Sequence, residues 1–286
     1  MPADSVIPFG FESLPVRGAL IHLARTWRRM LRDHDYDPLV AETLGHAAAA
    51  TGLIAQSLKF DGAITLQIQS AGRLQMLVMQ STNDFDMRGM AHVDETRAAG
   101  DFAELTAKSR CAVTVDSGER PYQGIVEMDA TSLAASLEHY FARSVQVPSH
   151  VVLVANEELA GGILLQQVPG QLIEEDDWNR LHFLAETLTQ RDFEGDAGIG
   201  LLRKLFAEDD VRVHEAKAVK FRCRCSVAKT EDVLRMLGEH ESREVLAEQG
   251  NIEVICEYCG HRRHFDAVDV ERLFSENVVP APDSIQ

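Results

Sequence analysis

The chain has 286 residues, 45% of them hydrophobic, and a formal net charge of −17, which together exclude a disordered chain and argue against a nucleic-acid-binding surface. The start, Met1-Pro2-Ala3-Asp4-Ser5, lacks the basic and apolar regions of a signal peptide, and no apolar stretch is long enough to span a membrane. We therefore expect a cytoplasmic protein with one medium and one small domain that binds neither nucleic acid nor membrane.

The first 173 residues alternate predicted strands with isolated helices. Asp37 before Pro38 is typical of a helix start, and apolar residues at helical spacing extend this helix to Lys59. The other predicted segments are a strand at Val16–Leu23, a helix at 26–32, strands at 64–68, 74–78 and 87–93, a hairpin of 111–115 and 122–128, a helix at 133–141, and strands at 151–155 and 162–168. This pattern favours an α+β fold, with a mixed sheet-and-helix core at 1–173, over a doubly wound parallel sheet.

The composition changes after residue 173. Residues 157–210 hold 13 acidic side chains against four basic ones, a net charge of −9. Two amphipathic helices are predicted here, one from Trp178 to Leu188 and one from Ile199 to Phe206, with glycines between them. We interpret 174–220 as a metastable helical linker that folds only against its neighbours, although each apolar residue in it is individually more typical of a permanent core.

The region 221–276 is predicted to form a small third unit. We expect a helix capped by Thr230 and running to Leu237, a helix at 242–248 ended by Gly250, a strand at 252–256 and a helix at 267–274. A unit of this size buries only about 60% of its surface, so it often needs a metal or crosslinks to stay folded. Residues 277–286 are expected to be a flexible tail.

Four of the five cysteines form two tight pairs, Cys223-Arg224-Cys225 and Cys256-Glu257-Tyr258-Cys259. Four thiolates from two short turns provide the tetrahedral ligand set that zinc prefers, so we predict one zinc ion bound by these four residues. Alternate side chains of an extended segment share a face, which lets the C-x-C pair bind one metal. A disulfide between such close neighbours would be strained and easily reduced, and both pairs are close enough to oxidise once no metal holds them apart.

Other reactive side chains are assigned simpler roles. Cys111 lies in a predicted strand, where a small buried hydrophobic residue is favoured over a reactive thiol. His261 and His264 follow the last cysteine, but four cysteines complete the metal's shell, so a surface role is favoured. Arginines 222, 224, 262 and 263 flank the cysteines and either offset the negative charge of a zinc–thiolate cluster or are merely solvated.

With these residues in view, the chain resembles the heat-shock protein 33 family of redox-regulated chaperones over nearly its whole length. A C-x-C and a C-x-x-C pair at this separation behind an α+β domain is a highly specific combination. One departure follows Ser226, where the family often has an Arg-Glu-Arg type stretch and this chain has Val227-Ala228-Lys229-Thr230; we expect it to change the kinetics of switching. The segments that carry the resemblance are Val16-Arg17-Gly18, Leu58-Lys59-Phe60-Asp61-Gly62, Met87-Arg88-Gly89, Gly118-Glu119-Arg120, Tyr122-Gln123-Gly124, Ala160-Gly161-Gly162, Phe221-Arg222-Cys223-Arg224-Cys225-Ser226 and Cys256-Glu257-Tyr258-Cys259-Gly260.

The resemblance implies an ATP-independent holdase chaperone, not an enzyme, that is inactive while reduced and zinc-bound. It implies that oxidation joins Cys223 to Cys225 and Cys256 to Cys259 in two disulfides. Zinc would then be lost, the linker would lose order, a homodimer would be favoured, and apolar surface would become available to unfolded client proteins. Residues 1–173 would carry client binding and dimerisation, and 221–276 the redox switch.

Two other functions stay open. A purely structural zinc module on an interaction protein would keep its metal in the presence of oxidant and would show no chaperone activity. A thiol-disulfide oxidoreductase using Cys256 and Cys259 is less favoured, because that chemistry normally places C-x-x-C at a helix N-terminus in a thioredoxin-like fold.

Overall fold

The computed structural model describes residues 4–118, 121–195 and 198–275. Two compact units make up the chain, a larger one at Met1–Arg222 and a smaller one at Cys223–Gln286. The predicted tail at 277–286 lies outside the described residues. In the described part of the chain, none of the helices has both the length and the apolar composition needed to cross a bilayer.

The larger unit contains most of the strands and helices. Its strands are β1 (Ser5–Phe11), β2 (Val16–Leu23), β3 (Ala63–Gln69), β4 (Leu74–Thr82), β5 (Asp86–Val93), β6 (Arg110–Asp116), β7 (Tyr122–Val126), β8 (Ser149–Ala155), β9 (Ala160–Gln167), β10 (Val211–Val213), β11 (Lys217–Ala218) and β12 (Lys220–Phe221). Its helices are α1 (Arg25–Leu31), α2 (Pro38–Ser57), α3 (Phe102–Leu105), α4 (Leu133–Tyr140) with a π-helical turn at Phe141–Val145, α5 (Glu175–Glu186), α6 (Gln190–Glu194) and α7 (Ile199–Leu205).

These strands form two sheets. The first sheet has the order β10-β1-β2-β9-β8 with β11 also paired to β1, and its pairs are antiparallel. The second sheet has the order β12-β5-β4-β3-β6-β7, in which the short β12 joins β5 in parallel. Helix α2 packs against β2, β8 and β9 of the first sheet and against β3, β4 and β5 of the second. It therefore forms a shared layer between the two sheets.

Helix α2 forms where the sequence predicts it. The Asp37 side chain accepts the backbone N–H groups of Leu39 and Val40, and Pro38 occupies the first helical position, where no N–H is needed. Most of its 20 residues are buried, many of them alanines that allow close approach of both sheets. The core of the larger unit is centred on this helix.

The opposite face of the first sheet is covered by α5, α6 and α7. We call residues 175–195 and 198–206 the covering segment. Side chains of successive residues in a strand point to opposite faces, so Ile21 of β2 faces α2 whereas its neighbour Leu20 faces the covering segment. The buried residues of the covering segment are Leu181, Ala185, Leu188, Phe193, Leu201, Leu202 and Phe206. The two faces of one sheet thus have separate apolar layers.

A glycine of β9 makes room for the covering segment. The ring of Phe193 is fully buried, and a β carbon added at Gly161 would lie 2.6 Å from its Cδ1 atom. No side chain larger than hydrogen fits at Gly161 while Phe193 keeps this position. The contact places the middle of the covering segment directly on the backbone of the sheet.

The smaller unit contains α8 (Val227–Leu237), α9 (Glu239–Gln249), β13 (Ile252–Ile255), β14 (Arg262–Phe265) and α10 (Ala267–Ser275). The two strands pair as an antiparallel hairpin. The buried apolar cluster described for this unit consists of Leu234, Ile252, Phe265, Val270 and Leu273. Five buried side chains are a small core for a unit with three helices and a hairpin.

The predicted α+β class is confirmed, and most predicted elements are present, but several details were wrong. Helix α8 begins at Val227 and is capped by Ser226, whose side chain accepts the N–H of Lys229; Thr230 was predicted as the cap and is instead inside the helix. Helix α9 begins at Glu239 and not at 242. Strands β1, β10, β11, β12 and β14 were not predicted. The division of the larger unit into a core at 1–173 and a linker at 174–220 stays a prediction.

Candidate metal centre

The first cysteine pair lies in an irregular connection. Cys223 and Cys225 follow strand β12 and come directly before Ser226, the residue that caps α8. The position of the pair is thus set by the start of a helix on its C-terminal side. Neither sulfur is deeply buried, because both residues are partly exposed.

The second pair occupies the connection between β13 and β14. The backbone N–H groups of Cys259 and Gly260 both donate to the carbonyl oxygen of Cys256, at 3.2 and 2.8 Å, and the N–H of Cys256 donates to the carbonyl of His261. Gly260 has φ of 63°, a left-handed conformation that glycine adopts without steric cost. These contacts fold residues 256–261 into a tight turn that directs both sulfurs to one side.

The four sulfurs converge. Sγ of Cys223 lies 3.6 Å from Sγ of Cys256, Sγ of Cys225 lies 3.6 Å from Sγ of Cys259, and all four lie within 4.8 Å of one another. Sulfurs placed roughly 2.3 Å from a central zinc ion would be about 3.8 Å apart at the corners of a tetrahedron. All four thiols are free of disulfides. The donor set and its spacing therefore fit a tetrahedral thiolate-bound metal.

The surroundings of Cys223, Cys225 and Cys259 shift the pKa values of these thiols in different directions. Burial works to raise the pKa of Cys223, but the backbone N–H of Cys225 and the neighbouring thiols stabilise the thiolate and lower this pKa to about 7. Burial raises the pKa of Cys259 to about 12 and also raises the pKa of Cys225. Since thiolates are the form that binds metal, the lowered pKa of Cys223 favours its metal-binding form near neutral pH.

A sequence profile described as "Hsp33 protein" matches residues 4–266, a range that includes all four clustered cysteines. The chain belongs to the Hsp33 family. The family resemblance predicted from the sequence is thereby confirmed.

Curated relatives of this Hsp33 chain match along almost their full length. A protein of Nitrosococcus oceani named "33 kDa chaperonin" is 42% identical over 96% of this chain and 96% of its own length. One of Methylobacillus flagellatus with the same name is 36% identical over 97% of this chain and 96% of its own. A solved structure from Thermotoga maritima, titled as a 33 kDa chaperonin (heat shock protein 33 homolog), has a TM-score of 0.81, covers 96% of this chain and 99% of that one, and is 24% identical. At that identity the likeness shows the fold.

The charged residues near the cysteines partly have other partners. Arg222 Nη1 lies 2.9 Å from Oδ2 of Asp86, and Arg262 Nη1 lies 2.6 Å from Oε1 of Glu253. His264, predicted to have a surface role, is exposed and lies 3.6 Å from the same glutamate. That any of the four flanking arginines offsets the charge of a metal–thiolate cluster stays a prediction.

Cys111 belongs to the larger unit and is not among the clustered cysteines. It is fully buried in β6, as predicted, and burial raises the pKa of its thiol to about 12. A thiol that stays protonated and inaccessible reacts slowly with oxidants. The structure therefore assigns Cys111 to the core of the larger unit.

The sequence did not reveal which residues fasten the covering segment. Phe193 and Leu201 are buried against the first sheet but were not singled out, and Gly161 was not interpreted as a packing contact. A glycine in the middle of an apolar strand is a signal of close approach by another group, and it could have indicated a contact here.

Proposed function

We propose that this Hsp33 chain is an ATP-independent holdase chaperone, not an enzyme, whose client-binding surface is controlled by the oxidation state of four cysteines. The observation that carries the proposal is the convergence of four thiols, within 4.8 Å, in a unit whose described residues form an apolar core of five buried side chains. Bound zinc would supply folding free energy that so small a core lacks, on the order of 10 to 16 kcal/mol for structural sites.

Cys223, Cys225, Cys256 and Cys259 would hold one zinc ion per chain in the reduced state. Oxidation by a peroxide would convert each pair of thiolates to a disulfide: the two sulfurs give up two electrons, and the peroxide takes these electrons and two protons from solvent to form two water molecules. A disulfide sulfur carries no thiolate charge and is a poor metal ligand, so the ion would be released. The family resemblance pairs Cys223 with Cys225 and Cys256 with Cys259.

Within the larger unit, the covering segment would respond to the change in the smaller unit. Its helices hide an apolar surface of the first sheet that includes Phe9, Leu20 and Ile163. Loss of order in 174–220 would open this surface, and exposed apolar patches bind the apolar segments of unfolded proteins. The acidic side chains of the same segment would keep the opened protein in solution.

The proposal includes the predicted organisation of the chain. Residues 1–173 would bind clients and form the homodimer of the oxidised state, 174–220 would be the metastable linker, 221–276 the switch and 277–286 a flexible tail. The net charge of −17 is the reason to expect no nucleic-acid partner. The cytoplasm, where thiols are kept reduced until oxidative stress, is the compartment in which such a switch would operate.

The test combines metal release and chaperone activity in one sample. Zinc-loaded, reduced protein is treated with hydrogen peroxide while a metal-sensitive dye reports free zinc and light scattering reports aggregation of a heat-unfolded client protein. We expect zinc release and suppression of aggregation together, and disulfide mapping by mass spectrometry gives the pairing. The matched control is Cys111→Ala, which should show the same zinc release and suppression of aggregation as the wild type. Cys259→Ser, which lacks one of the four thiols, should not show this coupled response to oxidant.

The two alternatives predict different outcomes. Zinc retained under peroxide, with no effect on the client, would leave a purely structural zinc module. Catalytic reduction of insulin would favour a thiol-disulfide oxidoreductase, which the position of Cys256 and Cys259 in a strand-to-strand turn does not favour.

A further inference from the structure

Within the larger unit, two histidines and two glutamates gather where the covering segment meets the first sheet. A ring nitrogen of His150 on β8, a ring nitrogen of His182 on α5 and a carboxylate oxygen of Glu186 on α5 lie within 4.8 Å of one another. His182 and Glu186 are four residues apart and share one face of the helix, with Nε2 of His182 3.2 Å from Oε1 of Glu186.

His150 is held in place with one nitrogen left over. Its side chain is 6% exposed, and its Nδ1 lies 2.7 Å from Oε1 of Glu138, whose carboxylate also accepts the backbone N–H of Val151. By angle the contact with Glu138 falls short of a full hydrogen bond, and Nε2 of His150 is buried with no partner in the described residues. Buried polar atoms normally have a partner, so this nitrogen, whose lone pair is free when the proton is on Nδ1, is suited to bind a ligand.

We propose that His150, His182 and Glu186 form a second metal site, separate from the cysteine centre, that takes a divalent ion of the zinc type. Two imidazoles and one carboxylate are a recurrent zinc ligand set that leaves a fourth position open to water, whereas calcium and magnesium prefer oxygen ligands. Glu138 is placed as the carboxylate that commonly contacts the second nitrogen of a metal-binding histidine and fixes the orientation of its ring.

One movement is needed to close the site. The rings of His150 and His182 are stacked, with centroids 3.5 Å apart and planes 21° from parallel, so their lone pairs do not converge. The His182 side chain is 35% exposed and the Glu186 side chain 53% exposed, so the ring of His182 has room to turn out of the stack. A cleft of about 450 Å³ lined by His46, Ser132, His150 and Glu186 gives the ion and its water a path from solvent.

Such an ion would fasten the covering segment to the sheet. Leu181 and Ala185, which precede the two α5 ligands, are fully buried against the same sheet, so the metal would reinforce an existing contact. Any effect of this metal on client binding rests on the proposed function, in which the covering segment leaves the sheet. Metal binding at the site does not depend on the proposed function.

The experiment is a zinc titration of reduced, full-length protein that already holds one equivalent of zinc, followed by isothermal calorimetry and by hydrogen exchange of α5. We expect a second, weaker equivalent and slower exchange in 175–186. His182→Gln and Glu186→Gln should abolish the second event, and Glu138→Gln should weaken it about 10-fold to 100-fold.

The matched control is His240→Gln. His240 and Glu244 form another histidine–glutamate pair four residues apart, 3.3 Å between Nε2 and Oε1, on an exposed face of α9. Retention of the second equivalent in this variant and its loss in His182→Gln supports the site. Absence of a second equivalent, or equal loss in both variants, overturns it. The histidine variants should keep the first equivalent of zinc. Its loss in either variant would contradict the proposed thiolate centre, and not the second site.

Discussion

The two apolar faces of the first sheet are covered by elements that differ in how deeply they are buried. On one face, helix α2 buries most of its length and is packed against a second sheet on its far side. On the other face, α5 contributes only Leu181 and Ala185 as buried residues, and α7 only Leu201 and Leu202. Removing α2 would open two sheets at once, whereas removing the covering segment would open a single face. We therefore expect residues of the same apolar type to form a permanent layer in α2 and a detachable one in the covering segment, depending on what lies behind them.

The largest effect that tests this comparison comes from metal removal. A strong zinc chelator under reducing conditions should unfold the smaller unit, since structural zinc contributes on the order of 10 to 16 kcal/mol and whole domains have only about 5 to 15 kcal/mol of stability. We expect hydrogen exchange to become fast in 223–275 and in the covering segment, and to stay slow in α2. Equal loss of protection in α2 and the covering segment would remove the distinction between the two layers.

A pair of core truncations compares the layers directly. Phe206 is 1% exposed and its ring lies 5.0 Å from that of Phe11, so Phe206→Ala should cost about 3–5 kcal/mol and loosen the covering segment while α2 stays folded. Leu44→Ala, on α2, should cost about 2–5 kcal/mol and lower the melting temperature of the whole larger unit. Client binding without oxidant is expected for the first variant only, measured by suppression of aggregation. Equal activity in both variants would count against a detachable layer.

A smaller, pH-dependent effect on stability is expected where β1 contacts the start of α1, outside the covering segment. The Asp4 carboxylate accepts the backbone N–H groups of Ala24, Arg25 and Thr26 and so holds β1 to the start of α1. Burial works to raise the pKa of Asp4, but the side chain of Thr26 and these backbone groups together lower it below 3.8. The carboxylate therefore stabilises the fold above about pH 4, and this contribution is lost as the pH falls through the lowered native pKa.

Asp4→Asn removes this charge. The variant should lose about 1.5–3 kcal/mol near neutral pH, measured by urea unfolding, and its stability should fall less steeply in acid than that of the wild type. An unchanged acid profile would show that Asp4 does not titrate as described.

The smallest effect concerns an ion pair near the end of the covering segment. Arg180 donates two hydrogen bonds to Asp209, at 2.9 and 2.7 Å; the aspartate side chain is 7% exposed, but the arginine side chain is 37% exposed. Solvent screening limits such a pair, so Asp209→Asn should cost about 1 kcal/mol or less and raise hydrogen exchange in α5 by about fivefold or less. A change in the exchange of α2 would contradict the independence of the two layers.

Local signals made part of this structure predictable. The cap at Asp37, the proline after it and the helical spacing that follows lie within one short stretch, so α2 could be read directly from the sequence. The cysteine pairs likewise carry their metal-ligand spacing within three or four residues each. Gly260 and the tight turn at 256–261 serve that spacing.

Contacts between distant segments were not predictable in this way. Strand β1 contains Pro8 and Gly10, which break its pattern, and it forms because β2 pairs with one edge and residues 211–213 and 217–218 pair with the other. Ser226 and Thr230 are both good cap residues, and the Thr230 hydroxyl bonds back to the carbonyl of Ser226 inside the helix. Nothing in the sequence relates His150 to His182, 32 positions later, because only packing of α5 on β8 brings them together.

The hydrogen at the α carbon of Gly161 has an evolutionary consequence. A strand interior normally favours branched or aromatic side chains. Glycine at this position lowers the intrinsic strand preference but allows the ring of Phe193 to pack on the sheet. Homologues that place alanine or valine at position 161 should therefore carry a smaller residue than phenylalanine at 193. Correlated variation at these two positions across species would indicate how tightly the covering segment packs on the first sheet in each protein.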